Sequence, residues 1–316
     1  MATLTASIGT PVDYATEAFC NAYSHFGDVP MPERARTALR ASQGLFNEHQ
    51  GPSALAVIEA KATLEGLYAQ IYARRDRLWM KYDRRSKNWA ARLALDVPYD
   101  AILTDIKAVT TTEVHEATAK QRADIRKDVL AALIDTLTRY SDLAAEARSM
   151  AAAAQAEGSA LGMTAAAALL AYMNGHPIPD MDTLQQQSLT QLQKELSYGI
   201  DANDIVTDML GGLAGDIAQS SPPADQSDNN LTLGLQATVG AGVGAAFYLD
   251  HHIHSAFALA MLAAYKRAGE NVLFVTVGDD RVCPSCLAAE DGNPYTPENV
   301  PPIPFHGSCR CWYSPA

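Results

Sequence analysis

Two long stretches of the chain carry apolar residues at helical spacing. In the first, between residues 53 and 96, the apolar positions recur three, four or seven residues apart, at Leu64, Leu67, Ile71, Leu78, Tyr82, Trp89 and Leu93. This period predicts one long amphipathic helix that ends near Asp96, before Pro98. The second stretch, from about 112 to 158, repeats the pattern and predicts a partner helix in an antiparallel hairpin. A coiled-coil seam to another chain is the alternative for the first stripe, although its heptads are imperfect.

The pattern changes near residue 180. An alanine-rich stretch, 150–173, predicts close helix packing, and the segment 176–180 then interrupts the helical pattern. Beyond it we expect two shorter helices, an exposed polar loop and a β-type apolar run, at about 182–198, 202–219, 220–228 and 271–277. The sequence therefore predicts a mainly α protein. Its long-helix N-terminal domain would span 1–180, and a small α+β C-terminal module closed by a Cys/His cluster would span 181–316.

An uncharged, glycine-rich segment lies at 229–249. Its length just reaches that of a membrane-spanning helix, but it contains four glycines and no flanking basic anchors. We therefore favour a buried, closely packed element over a membrane-active one. Asp250 and three histidines, His251, His252 and His254, follow it and have the composition of a metal site. The favoured interpretation is that Asp250 is the N-cap of a helix that runs to Gly269.

The chain of 316 residues is acidic, with a net charge of −12 and 48% hydrophobic residues. This composition excludes a disordered chain, and the charge excludes nucleic-acid binding over the whole surface. The N-terminal residues lack the basic and apolar regions of a secretory signal, so we expect none. A local basic run stands out, at Arg74, Arg75, Arg77, Lys81, Arg84 and Arg85. It predicts either a solvated helix face or a surface that docks onto acidic protein or packaged DNA.

Four of the five cysteines lie within the last 34 residues. Cys283 and Cys286 form a CxxC turn, and an HxxCxC segment supplies His306, Cys309 and Cys311. Structural zinc sites are tetrahedral and use Cys and His at such spacings. The sequence therefore predicts a zinc site made of the CxxC pair and two of the other three residues. Five donors for four positions leave at least one with another role.

Other states of this cluster stay open. Two disulfides among Cys283, Cys286, Cys309 and Cys311 would close the same loop, and four unlinked thiols could pack around the turn. A catalytic Cys–His pair is a further alternative, but the paired cysteines do not single out one nucleophile. A closed four-ligand site has no open coordination position. We therefore expect the cluster to stabilise the fold and not to perform catalysis.

The C-terminal motifs follow one another in a distinctive order. A helix and a short strand precede a GDDRVCPSC turn, a D-G turn, a P-P-x-x-x-H segment and a final C-R-C. This ordered combination, over about 60 residues, resembles the Mu F-like minor head proteins of tailed phages, with weaker similarity back to about residue 182. The positions that carry the resemblance are Asp279, Asp280, Arg281, Cys283, Cys286, Asp291, Gly292, Pro301, Pro302, His306, Cys309, Arg310 and Cys311.

The resemblance implies a virion structural protein and no enzyme. Such a minor capsid protein would sit at the portal vertex or inner shell, in several copies, after assembly in the host cytoplasm. Its partners would be the portal and/or major capsid protein and packaged DNA, with no membrane. Two other functions stay open: a metal-dependent hydrolase or effector that uses Asp279, Asp280 and the cluster, and a membrane-active ejection protein that uses 229–249.

Overall fold

A computed structural model describes residues 64–100, 103, 119–195, 202–219, 228–277, 282–306 and 309–316. Within these ranges the chain is mainly helical and has a small C-terminal region with two strands, which confirms the predicted fold class. The elements, in chain order, are α1 Leu64–Asp96, α2 Ala119–Arg139, α3 Ser141–Met173, α4 Met181–Glu195, α5 Ala202–Gln219, α6 Asp228–Ala241, α7 Val243–Ala268, β1 Val272–Val275, α8 Pro284–Asp291 and β2 Trp312–Pro315.

Helix α1 follows the predicted apolar stripe. It ends at Asp96, as expected, because the residue before a proline disfavours the helical conformation and Pro98 follows closely. Six members of the stripe are buried: Leu67, Ile71, Leu78, Tyr82, Trp89 and Leu93. The indole nitrogen of Trp89 donates to the Leu143 carbonyl of α3 at 3.0 Å, so its one polar atom is satisfied inside the core. The part of the prediction at 53–63 lies outside the described residues.

The predicted second long helix, at about 112–158, is interrupted at Tyr140 and forms two helices, α2 and α3, of which α3 runs well beyond the predicted end at Gly158. It continues to Met173 and includes Gly158 and Gly162. A Cβ atom at Gly162 would lie 2.9 Å from the Phe257 carbonyl carbon of α7 and nearer still to its oxygen. Glycine is therefore needed here for close helix packing, and the prediction of a helix end was wrong because it treated this glycine-containing stretch as a terminus.

The described residues fall into two compact units. One contains the described parts of 64–77, 156–195 and 254–316, and the other those of 78–155 and 202–253. In the second unit α5 packs against both α2 and α6. The shorter helices α4 and α5 lie where the sequence predicted them, whereas 196–201 and the predicted loop at 220–227 lie outside the described residues. The predicted domain boundary at 180/181 stays a prediction.

Helix α7 begins eight residues earlier than predicted, at Val243 and not at His251. Gly242, with φ of 66°, interrupts the helical path between α6 and α7. The new helix starts at Val243, and the Gly244 N–H donates to the Asp216 carboxylate of α5 at 2.7 Å. Asp250 therefore lies inside α7, and the prediction that it is the N-cap was wrong, because a carboxylate from another helix satisfies an amide of the first turn.

The stretch Asn230–Ala268 includes most of α6 and all of α7. By length and composition alone, it is the one helical stretch among the described residues that is apolar enough to cross a membrane. In its most apolar window, 44% of the residues are buried inside the fold. Core helices of water-soluble domains meet the same criterion, so this finding is weak support for a membrane role.

The C-terminal module is built around a two-stranded antiparallel sheet. Strands β1 and β2 pair from Val272 with Pro315 to Val275 with Trp312, and α8 packs against β1. The Asn293 side chain accepts from the Phe274 N–H at 2.6 Å and donates to the Phe274 carbonyl at 2.9 Å, like an additional strand residue. The predicted strand near 271–277 is thus confirmed, and side-chain hydrogen bonds complete a very small sheet.

Candidate metal centre

The CxxC turn places two thiols at the start of α8. Cys283 is the N-cap of this helix, and its Sγ accepts a hydrogen bond from the Cys286 N–H at 3.4 Å. Pro284 occupies the first turn, where a residue without an N–H costs nothing. Cys283 and Cys286 are 3% and 1% exposed, respectively. The local sequence therefore turns both sulfur atoms into the interior of the module.

The HxxCxC segment brings the other three donors to the same place. Its Cys309 N–H donates to the His306 carbonyl at 3.2 Å, and Cys311 directly precedes β2. The ligand atoms of Cys283, Cys286 and His306 lie within 4.8 Å of one another, as do those of Cys286, Cys309 and Cys311. The other four predicted donors thus surround Cys286. The four described cysteines are free thiols.

The donor set is suited to a soft divalent metal. The Cys286 sulfur lies 3.2 Å from His306 Nε2, so thiolate and imidazole donors converge on one point. A small cavity of about 10 Å³ opens among Cys283, Cys286, His306 and Cys311. That volume holds about one water-sized sphere, which is enough for a metal ion and too small for an organic substrate. The cluster could therefore bind a metal ion.

Hydrogen bonding within the cluster separates the thiol pKa values. The bond from the Cys286 thiol, with help from His306, lowers the pKa of Cys283 to about 4 although burial acts against it. Bonds from Cys286 and Cys311 likewise lower the pKa of Cys309. The same bonds, first of all that with Cys283, raise the pKa of Cys286. A metal ion binds the thiolate form, so its binding here would release the protons that remain on the thiols.

Two side chains from distant parts of the sequence hold the segment 309–311, the ligand segment, in place. His254 of α7 is 3% exposed, and its Nε2 lies 2.6 Å from the Cys311 carbonyl oxygen. Because a carbonyl only accepts, Nε2 carries the proton. Arg75 of α1 donates from Nη1 to the preceding carbonyl of this segment, that of Arg310, at 3.0 Å. No sequence signal marked either residue for this role, because it depends on which helices pack beside the segment.

Two of the six predicted cations, Arg74 and Arg75, are therefore engaged within the fold. The Arg75 guanidinium is buried and lies 4.4 Å from the centre of the Tyr72 ring. Arg74 is half-buried and forms an ion pair of 2.5 Å with Asp182, a hydrogen bond that lowers the pKa of that carboxyl. Arg75 therefore positions the segment that contains Arg310, a role that the interpretation as a docking surface did not predict.

The other four predicted cations occupy exposed positions of α1. They are Arg77, Lys81, Arg84 and Arg85. Lys81 Nζ and the Arg85 guanidinium carbon lie 5.1 and 5.3 Å from the centre of the Tyr82 ring, so both stems cover an aromatic face. Their charged groups are available to solvent, as a docking surface or a solvated helix face requires.

The three histidines near residue 250 do not form a metal site of their own. His252 Nε2 lies 2.8 Å from Asp208 Oδ2, and His254 contacts the Cys311 carbonyl. Among the described residues, no group of three metal-ligating side chains includes any of the three histidines. His252 and His254 instead make polar contacts from α7. The pair Asp279 and Asp280, named for the enzymatic alternative, lies outside the described residues.

Comparisons with known proteins found no match for this chain. No protein-family model, no curated protein and no solved structure matches it. The resemblance of the C-terminal motifs to Mu F-like minor head proteins therefore stays a prediction. The Cys/His cluster is the structural feature on which a proposal about function can be based.

Proposed function

We propose that this chain is a virion structural protein of a tailed phage, a minor head protein at the portal vertex or inner shell. It would act in head assembly and DNA delivery. The observation that carries the proposal is the Cys/His cluster, in which the CxxC and HxxCxC motifs, two of those that resemble the Mu F-like family, meet around Cys286. A small module closed in this way would suit a rigid building element.

The proposed cofactor is structural zinc. In such sites Zn²⁺ takes four Cys or His ligands at about 2.0–2.3 Å and keeps no open position. The four described cysteines are all buried beside a two-stranded sheet. Metal binding would therefore add folding free energy to the packing of this small module. Elemental analysis should give one zinc per chain, and a metal-free protein with an intact fold would contradict this role.

The proposed partners are the portal and/or major capsid protein, with several copies of this chain in each particle. Exposed cations on α1, such as Arg84 and Arg85, would dock onto acidic protein or contact packaged DNA. The net charge of −12 limits adhesion to DNA elsewhere on the surface. The chain would assemble in the host cytoplasm and remain in the capsid interior or at the portal vertex.

Gene order and particle composition test the proposal together. We expect genes for a portal protein and a large terminase subunit beside the coding sequence. Mass spectrometry of purified particles should then detect this chain at a constant ratio to the portal protein. Particles that contain portal, capsid and DNA but lack this chain would overturn the proposal.

An enzymatic function is the second candidate, as a metal-dependent hydrolase or effector. Its support is the cluster, because the Cys and His side chains around Cys286 could hold a metal ion. Replacement of Cys283 by serine separates the two functions. Loss of a measured activity from a folded variant would support the enzyme, whereas unfolding would support the structural site.

A membrane-active ejection protein is the third candidate, and it would use residues 229–249. Its support is the apolar stretch Asn230–Ala268. Flotation of the purified protein with anionic liposomes tests it directly. Protein that stays at the bottom of the gradient excludes this function.

A further inference from the structure

The cluster offers five donors for a tetrahedral ion, so one of them must lie outside the first coordination sphere. Four ligands at about 2.3 Å from a central ion lie about 3.8 Å from each other. The donor atoms form two groups of three that share only Cys286: one with Cys283 and His306, the other with Cys309 and Cys311. These distances alone do not single out the fifth donor, and the two cysteines of the C-R-C segment are equivalent by this criterion.

The cavity in the cluster distinguishes these two cysteines. Its walls include Cys283, Cys286, His306 and Cys311, whereas Cys309 does not line it. Cys309 and Cys311 are equally buried, at 4% and 3% exposure, so burial does not explain the difference. With a volume of about 10 Å³, the cavity accommodates one ion.

We propose that Cys283, Cys286, His306 and Cys311 bind a divalent ion of the zinc type, and that Cys309 is an uncoordinated thiol that hydrogen-bonds to the coordinated thiolates. This ligand set rests on the metal centre proposed above. His306 would bind through Nε2, the ring atom that lies 3.2 Å from the Cys286 sulfur. The Cys309 sulfur lies within 4.8 Å of those of Cys286 and Cys311, a short distance from both ligands. Such outer contacts orient ligands and tune affinity without binding the ion.

Substitutions at two neighbouring cysteines give a matched test. Cys309→Ser and Cys311→Ser make the same chemical change at buried sites two residues apart. We expect Cys309→Ser to keep one Zn²⁺ or Co²⁺ per chain, with affinity reduced at most about 10- to 100-fold. Its Co²⁺ charge-transfer band should keep the intensity of the wild-type protein. Cys311→Ser should bind the ion more weakly than Cys309→Ser. Its Co²⁺ charge-transfer band should lose the intensity that one coordinated thiolate contributes.

Each outcome decides a different question. Wild-type protein that binds neither ion would overturn the metal centre itself. Wild-type protein that binds one ion, with the band reduced in Cys309→Ser and intact in Cys311→Ser, would overturn the ligand set alone. If either variant fails to fold, X-ray absorption of the other variant, loaded with zinc, decides instead. Cys309→Ser should keep three sulfur atoms at about 2.3 Å and one nitrogen at about 2.0 Å, whereas Cys311→Ser should keep only two sulfur atoms, and the reverse result refutes the proposal.

Discussion

Replacement of either Gly212 or Gly244 by alanine should destabilise the protein, although alanine favours helices. Gly212 lies in α5 and Gly244 in the first turn of α7, and the two backbones touch. A Cβ atom at Gly212 would lie 2.6 Å from the Gly244 carbonyl carbon. A Cβ atom at Gly244 would lie 2.8 Å from the Gly212 Cα. In both cases the carbonyl oxygen of the other glycine would be closer still.

The magnitude follows from this overlap. Ordinary contacts of a Cβ atom begin at 3.4 Å, so α5 and α7 would have to separate by about 1 Å at Gly212, a distance set by the Gly244 carbonyl oxygen. Backbone atoms cannot rotate away as a flexible side chain can, so the cost lies near the upper end of about 1–3 kcal/mol for overpacking. Alanine recovers about 1 kcal/mol of helix propensity. We therefore expect the free energy of unfolding to fall by about 2 kcal/mol for each single variant.

Urea unfolding followed by far-UV circular dichroism measures this change, and Gly234→Ala is the matched control. Gly234 lies in α6, and a Cβ atom there would meet no other atom within 4 Å. That variant should gain about 0.5–1 kcal/mol from propensity alone. The double variant at Gly212 and Gly244 should lose less than the sum of the singles, because one separation relieves both overlaps. A Gly244→Ala variant as stable as Gly234→Ala would refute the close approach.

Three further predictions concern buried polar contacts. Burial raises the pKa of Asp216 above its ordinary value of 3.8 despite its bond from the Gly244 N–H, so the folded state keeps the proton to higher pH. Stability contributed by this group is therefore lost as pH rises from about 4 through the folded pKa. Relative to Asp216→Asn, which does not titrate, the wild-type free energy of unfolding should fall over that range, and a pH-independent difference would contradict this. His254→Ala should weaken zinc binding about 10- to 100-fold in a chelator competition, because it frees the Cys311 carbonyl; unchanged affinity would exclude a positioning role. Trp89→Phe should lower the free energy of unfolding by about 1–3 kcal/mol, since a buried carbonyl loses its donor; a thermal melt identical to wild type would contradict it.

The sequence predicted the elements whose signals are local. The apolar period of α1 and the proline after it were enough to place its buried face and its end at Asp96. The CxxC and HxxCxC spacings likewise predicted that five donors would meet. The fold of α1 depends on residues that are close in sequence. The cluster depends on Cys and His side chains, whose metal-binding chemistry can be recognised from the sequence.

Glycines and histidines were harder to interpret, because their roles depend on partners far along the chain. Gly162 lies inside α3 because the Phe257 backbone approaches it, and no periodicity in α3 reports that neighbour. The start of α7 depends on the left-handed Gly242 and on a carboxylate from α5. His254 looked like part of a histidine run, yet its partner is a carbonyl 57 residues away.

The ligand segment shows how the cluster and the helices depend on each other. Cys311 and Arg310 have consecutive carbonyls, and donors 57 and 235 residues distant, on α7 and α1, hold them. These bonds position the segment from the side of the backbone, while a bound ion would position it through the Cys311 sulfur. Neither constraint replaces the other, because the donors cannot draw Cys283 and Cys286 inward and the ion cannot align β2 with β1. A small two-stranded sheet becomes a rigid element only when both act on the same few residues.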